Sequence, residues 1–175
     1  MLEDSGCTVD DAMLLARAQL LVSAMELGIA RATLEMSVEY AKVRMQFDKP
    51  IGTFQAVKHR CSDMAIRVHA AQAQTLFASF HVESRAEAAP FHAAAAKTTA
   101  TKAAKLNTAD NVQNHGAIGF TVEHDAGLFA RRAHMLEYAL GGDPVAAVTL
   151  LGVGSHRFET LPPPPDDWFG APLGA

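Results

Sequence analysis

Apolar residues recur along this chain at helical spacing almost throughout, with no sustained alternation of the β type and no internal repeat. Residues 10–45 contain no proline. Leu14, Ala18, Leu21 and Met25 interleave there with Leu20, Ala24, Leu27, Leu34, Val38 and Ala41. Between these two apolar faces runs a narrow polar stripe of Gln19, Ser23, Glu26, Thr33 and Ser37. A helix apolar on more than one face is expected to lie buried between several neighbours. Thr8 is placed to cap it, with Asp10 and Asp11 favourable in the first turn. Pro50 and Gly52 break the pattern. The spacing then predicts a second helix over 53–84, with Val57, Cys61, Met64, Val68, Ala71 and Leu76 inward. "SRAEAAP" reads as a turn before a third helix over 91–114, rich in Ala and Thr, that allows close helix approach. "HGAIGF" ends that helix, because glycine is a poor helix residue. A fourth helix is expected over 123–140, and "GGDP" breaks it before a short apolar helix at 145–153. The expectation is an all-α, up-down four-helix bundle over residues 1–155, with that short fifth helix, followed by a Pro-rich extended tail over 156–175.

Composition narrows the class. About half of the 175 residues are apolar, enough for a globular core. A formal charge of −4 gives no electrostatic footprint for nucleic acid. No run approaches the roughly 18 uninterrupted apolar residues of a membrane span, so no membrane partner is expected. The acidic start "MLEDSGCTVDDA" argues against a signal peptide. Cys7 and Cys61 lack metal or redox spacing and are expected as free thiols, which suits a cytoplasmic location. Eight histidines invite a metal reading, with His115, His124 and His134 near one end of the bundle; no Glu-x-x-His pair supports it, and no metal site is expected. Lys97, Lys102 and Lys105 stripe the third helix as a solvated face, with contact to a CoA phosphate as the sharper alternative.

The least ordinary stretch is "VRMQFDKPIGTFQ", residues 43–55. It sets a guanidinium, an aromatic face and an amide at a helix interruption. Arg suits phosphate or carboxylate, Phe stacks, and Gln both donates and accepts; together they suit a nucleotide with a pyrophosphate. The plain alternative is a capping Arg44, a core Phe47 and a surface Gln55.

The wording of the segment resembles the C-terminal helical domain of the acyl-CoA dehydrogenase family. The family pattern Arg-x-x-Phe-Gly-x-x-Ile-x-x-x-Gln is matched in register by Arg44, Phe47, Ile51 and Gln55. A second family motif, Gln-x-x-Gly-Gly-x-Gly, resembles "QNHGAIG", residues 113–119, and a third resembles residues 123–133. The resemblance spans roughly residues 10–152. It implies an FAD-dependent α,β-dehydrogenation of an acyl-CoA thioester, with electrons leaving to an electron-transfer flavoprotein. It also implies that the bundle oligomerises and completes a neighbour's FAD site. Arg44 would contact the pyrophosphate, Phe47 the adenine side and Gln55 the adenosine portion. Gln113, Gly116 and Ala117 would approach the same dinucleotide through amide and backbone.

The chain also departs from the family. The N-terminal helical and middle β-domains are missing, so a fragment or a truncated subunit is expected, as a homo-oligomer or joined to a longer acyl-CoA dehydrogenase-like chain. Ungapped alignment puts Leu140 where the family carries its catalytic Glu, and Ala18 at the alternative Glu position. Glu137, one turn earlier, is the candidate base in this chain. Asp48 replaces the usual Gly and Ala117 the second Gly of the second motif. Three readings follow: an acyl-CoA dehydrogenase module, a catalytically inactive structural subunit of a heteromeric enzyme, or an unrelated helical interaction bundle.

Overall fold

The computed structural model describes residues 10–142. Four helices run up and down: α1 Asp11–Val43, α2 Gln55–Glu83, α3 Ala89–His115 and α4 Asp125–Glu137. The up-down four-helix bundle is therefore present; the fifth helix, the tail, the boundary at 155 and Cys7 lie outside the described residues. Between α1 and α2 the strands β1 Met45–Gln46 and β2 Lys49–Pro50 form an antiparallel hairpin, which the helical reading did not anticipate because each strand has only two residues. Helix α1 is capped by Asp10, whose carboxylate accepts from the Met13 N–H at 3.2 Å; the expected cap Thr8 lies outside the described residues.

Helix α3 is the centre, packed on α1, α2 and α4. Its buried positions are mostly alanine: Ala89, Ala93, Ala94, Ala96, Ala100, Ala103 and Ala104. Small side chains let neighbouring backbones come close, and that reverses the expected orientation of α1. Its buried face is the polar stripe, Gln19, Ser23, Glu26, Thr33 and Ser37, with Ala16, Ile29, Ala30 and Ala41. Leu14, Leu21 and Met25 are instead 58%, 68% and 45% exposed. At the seam the short polar groups satisfy themselves. Ser23 and Thr33 donate to the carbonyls of Gln19 and Ile29 at 2.7 and 2.9 Å. Ser37 donates to Asn111 at 2.8 Å, and Asn107 donates to the carbonyls of Ala30 and Met64. Buried polar groups paired in this way cost little. Helix α1 is long and apolar enough to cross a membrane by length and composition alone. Its hydrogen-bonded polar seam and buried Glu26 are those of a bundle helix.

On α2, Met64, Val68 and Ala71 face inward as expected, but Leu76 is exposed. The inward positions continue through Thr75, Ala78 and Val82, one residue out of phase with Leu76.

Candidate functional site

The stretch that interrupts the helices builds one end of the bundle. Arg44 ends α1: its N–H donates to the Tyr40 carbonyl and its own carbonyl accepts from Ile51 N at 2.8 Å. Its exposed side chain has no ion pair among the described residues. Phe47 and Asp48 form the hairpin turn with φ of 53° and 62°, both positive as a tight type I′ turn requires. Asp accepts this region more readily than most residues, which explains how it stands in for glycine. Phe does not, and holding it there costs on the order of 1–3 kcal/mol. The strained turn leaves its ring 84% exposed, in edge contact with Phe54 at 6.0 Å between centroids. A core Phe47 is thereby overturned. The Lys49 ammonium lies 4.5 Å over the Phe54 ring.

Gly52 explains the rest of "KPIG". A Cβ there would lie 2.9 Å from the Ala41 carbonyl oxygen, so only glycine lets the turn pack against the end of α1. Gln55 opens α2 on the exposed side. That helix start has no side-chain cap and no acidic residue in its first turn, leaving its amide dipoles positive toward solvent. Below the hairpin, a crevice of about 380 Å³ runs between α1 and α2, lined by Val38, Lys42, Thr53, Lys58 and Cys61 among others. Cys61 is a free thiol whose pKa is pushed up by burial, so it stays protonated.

The second motif segment arrives at the same end. Helix α3 stops at Gly116, whose φ of 63° and ψ of −138° suit glycine alone. Gly119 is equally constrained, since a Cβ would meet the Val112 carbonyl oxygen at 2.7 Å. Gln113 and Ala117 are exposed beside the turn, and Asn114 holds Arg60 of α2 at 3.0 Å. The ring of His115 stacks on Tyr40 of α1 at 4.3 Å and lies 4.5 Å from His124, which caps α4 by accepting from the Ala126 N–H. The two segments carrying Arg44, Phe47, Gln55, Gln113, Gly116 and Ala117 thus share one end of the bundle. Spacing had put His124 near the same end as His115, but had not shown Tyr40 to join them.

Glu137 lies away from that end, where the short α4 stops against Lys97 and Lys105 in the middle of α3. Its carboxylate accepts from Lys105 at 2.5 Å and lies 3.3 Å from His134, so His134 does not join His115 and His124. The Lys105 bond, reinforced by His134 and opposed by burial, holds Glu137 below the usual carboxylate range. Just beyond, Leu140 has φ 59° and is followed by Gly141 and Gly142, also at positive φ. A bulky residue there is strained. The lysine stripe is not a uniform solvated face: Lys97 is 1% exposed and pairs at 3.0 Å with Glu26, which is 0% exposed. Lys97 also donates to Thr101 at 2.8 Å and to the Leu136 carbonyl at the end of α4 at 3.1 Å. The only sequence sign of this pair was one carboxylate and one ammonium among small or apolar neighbours.

Residues 4–150 match the family described as acyl-CoA dehydrogenase, C-terminal domain. The chain is 42% identical over 159 residues to acyl-CoA dehydrogenase FadE34 of Mycobacterium tuberculosis, covering 87% of this chain and 22% of that protein. Its fold is similar to butyryl-CoA dehydrogenase from Megasphaera elsdenii, with a TM-score of 0.77 and 31% identity over 81% of this chain and 37% of that one. It is also similar to a chain of the ChsE4–ChsE5 complex from Mycobacterium tuberculosis, with a TM-score of 0.72 and 33% identity, again over 81% and 37%. The chain spans well under half the length of each of these relatives, and the matched family is their C-terminal domain. It belongs to the acyl-CoA dehydrogenase family, as that family's C-terminal helical domain.

Proposed function

We propose that this chain is the C-terminal helical module of an FAD-dependent acyl-CoA dehydrogenase, working in the cytoplasm within an oligomer that supplies the N-terminal and middle domains. The observation that carries the reading is the convergence of two backbone devices and one unpaired cation. The Phe47–Asp48 turn takes a conformation that costs free energy, the Gly116 turn one open to glycine alone, and both lie at the end where Arg44 projects without an ion pair among the described residues. Strained backbone and uncompensated charge at one place suit a ligand carrying phosphate and an aromatic base.

The residues fit FAD in kind. Arg44 and the uncapped start of α2 offer charge to a pyrophosphate, Phe47 a stacking face, and Gln55 and Gln113 amide donors and acceptors. Gly116 and Ala117 present backbone with no bulky side chain in front of it. FAD bound there supplies the hydride acceptor for α,β-dehydrogenation of an acyl-CoA thioester, and an electron-transfer flavoprotein is the expected electron partner.

The base is a separate matter. A general base works best with a pKa near the operating pH. Glu137 is held in the opposite direction by Lys105, and Leu140 has no proton-accepting group. These observations favour a module that completes an FAD site while another chain or segment supplies the carboxylate, the arrangement of unlike subunits. The test is to co-express this chain with a longer acyl-CoA dehydrogenase-like chain from the same genome and purify on a tag on this chain. A yellow complex that reduces an artificial acceptor with acyl-CoA supports the module. A yellow complex without turnover supports the inactive subunit. A colourless chain recovered alone overturns both readings in favour of a helical interaction bundle.

A further inference from the structure

We propose that His115 is a positioning residue that locks the hairpin end of α1 to the glycine turn after α3, and so sets the spacing of the two loops. The inference deepens the dinucleotide reading above and rests on it for its consequence, though not for its geometry. His115 is 6% exposed, and three elements meet at its ring. Tyr40, one turn before Arg44 on α1, stacks on it at 4.3 Å and 29°. His124, at the start of α4, lies against it at 4.5 Å. Its Nδ1 is 2.8 Å from the Asn111 carbonyl oxygen; a carbonyl only accepts, so Nδ1–H donates and the ring plane is held. Gly116 follows directly, so the direction in which α3 hands the chain to the second loop depends on where this ring sits.

The surroundings suit a neutral imidazole. The groups in contact with it are Tyr40 of α1, the Asn111 carbonyl of α3 and His124 before α4, while the neighbouring Asn114 turns to Arg60 and Cys61 of α2. Burial, with His124 adding to it and the Asn111 bond opposing it, pushes the His115 pKa below 6.5. A lowered histidine pKa means that the folded state resists the proton. The locked arrangement is therefore intact above about pH 6.5 and loosens as the pH falls below that value toward the folded pKa.

The experiment uses the full chain without flavin first. Amide hydrogen exchange is followed at 45–49 and 116–119 in the wild type, His115→Ala, His115→Phe and Tyr40→Leu. Loss of an aromatic pair predicts about three- to tenfold faster exchange in both loops for His115→Ala and Tyr40→Leu. His115→Phe, which keeps a stacking ring, should restore most of the protection and remove its pH dependence between about 7 and 5.5. If His115→Ala fails to fold, Tyr40→Leu and the wild-type pH series still decide. Protection at 45–49, corrected for the intrinsic pH dependence of exchange, that is unchanged in Tyr40→Leu and flat with pH overturns the proposal. FAD is then titrated into the complex with the longer chain. Faster exchange in the variants with no FAD bound by the wild-type complex leaves the coupling standing and defeats the dinucleotide reading instead. Retention weakened in His115→Ala and rescued in His115→Phe supports both.

Discussion

Arg44 is the residue on which the dinucleotide reading can be tested most directly. An arginine at a helix end ordinarily finds a carboxylate or carbonyl; this one ends α1 with no ion pair among the described residues, beside a turn held at positive φ. Arg44→Ala is expected to weaken FAD retention in the assembled complex. The lost charge-assisted contact is on the order of 1.5–3 kcal/mol, roughly ten- to a hundredfold, read from flavin occupancy after dialysis. Unchanged occupancy would make Arg44 a helix-end residue. Glu137 makes the contrasting case. Its carboxylate is stabilised in the fold by Lys105, so its contribution to stability is complete above the ordinary value of 4.5 and is lost as the pH falls through that value to the lower folded one. Glu137→Gln should flatten acid unfolding in that window, followed by circular dichroism. It should also leave dehydrogenation in the complete complex within a few-fold of wild type. A loss of two or more orders of magnitude with flavin still bound would identify Glu137 as the base.

Helix α1 and the hairpin that follows it carry the energetic lessons at the scale of elements. The Glu26–Lys97 pair joins α1 to α3, and through the Leu136 carbonyl it also ties down the end of α4. Two opposite charges out of water are a poor source of net stability, but breaking one partner is severe. Lys97→Met alone is expected to cost on the order of 3–5 kcal/mol, whereas Lys97→Met with Glu26→Leu should recover most of it. Denaturant midpoints measure both; equal losses in the single and double variants would show that the pair contributes net stability. In the hairpin, Asp48 occupies a left-handed position that glycine takes without strain. Asp48→Gly should tighten FAD retention, because it removes a carboxylate from beside the proposed pyrophosphate contacts, with stability changed by no more than about 1 kcal/mol.

For the whole molecule, the outward face of α1 is the dominant fact. Leu14, Leu21 and Met25 on α1, with Ile66, Leu76 and Phe80 on α2, leave large apolar side chains in water. The chain spans only 22% to 37% of the relatives named above, and apolar faces of this size suit burial against another chain or domain. The chain is therefore expected to dimerise or to join a partner through the bundle. Light scattering showing a stable monomer at micromolar concentration would defeat that expectation. We extend the bundle to residue 155 and treat 156–175 as a Pro-rich tail; limited proteolysis near residue 155 tests that division.

What the sequence determined by itself was the number and order of the helices, because helical periodicity and the breakers Pro50, Gly52, Gly116 and Gly119 are local signals. It also placed Arg44, Phe47, Gln55, Gln113, Gly116 and Ala117 at or beside two helix breaks, and an up-down order brings those breaks to one end. Which face of α1 turned inward was decided only by tertiary structure. Periodicity counted leucines and assigned them to the core. The alanine surface of α3 instead admits a close seam where polar side chains pair across the interface, as Ser37 does with the Asn111 amide oxygen and Lys97 with Glu26. The Tyr40–His115–His124 layer was hidden for the same reason: its members are 75 and 9 positions apart along the chain and meet only when three elements pack. Local chemistry names an element, but whether a polar group is buried depends on the partner atoms that another element brings to it.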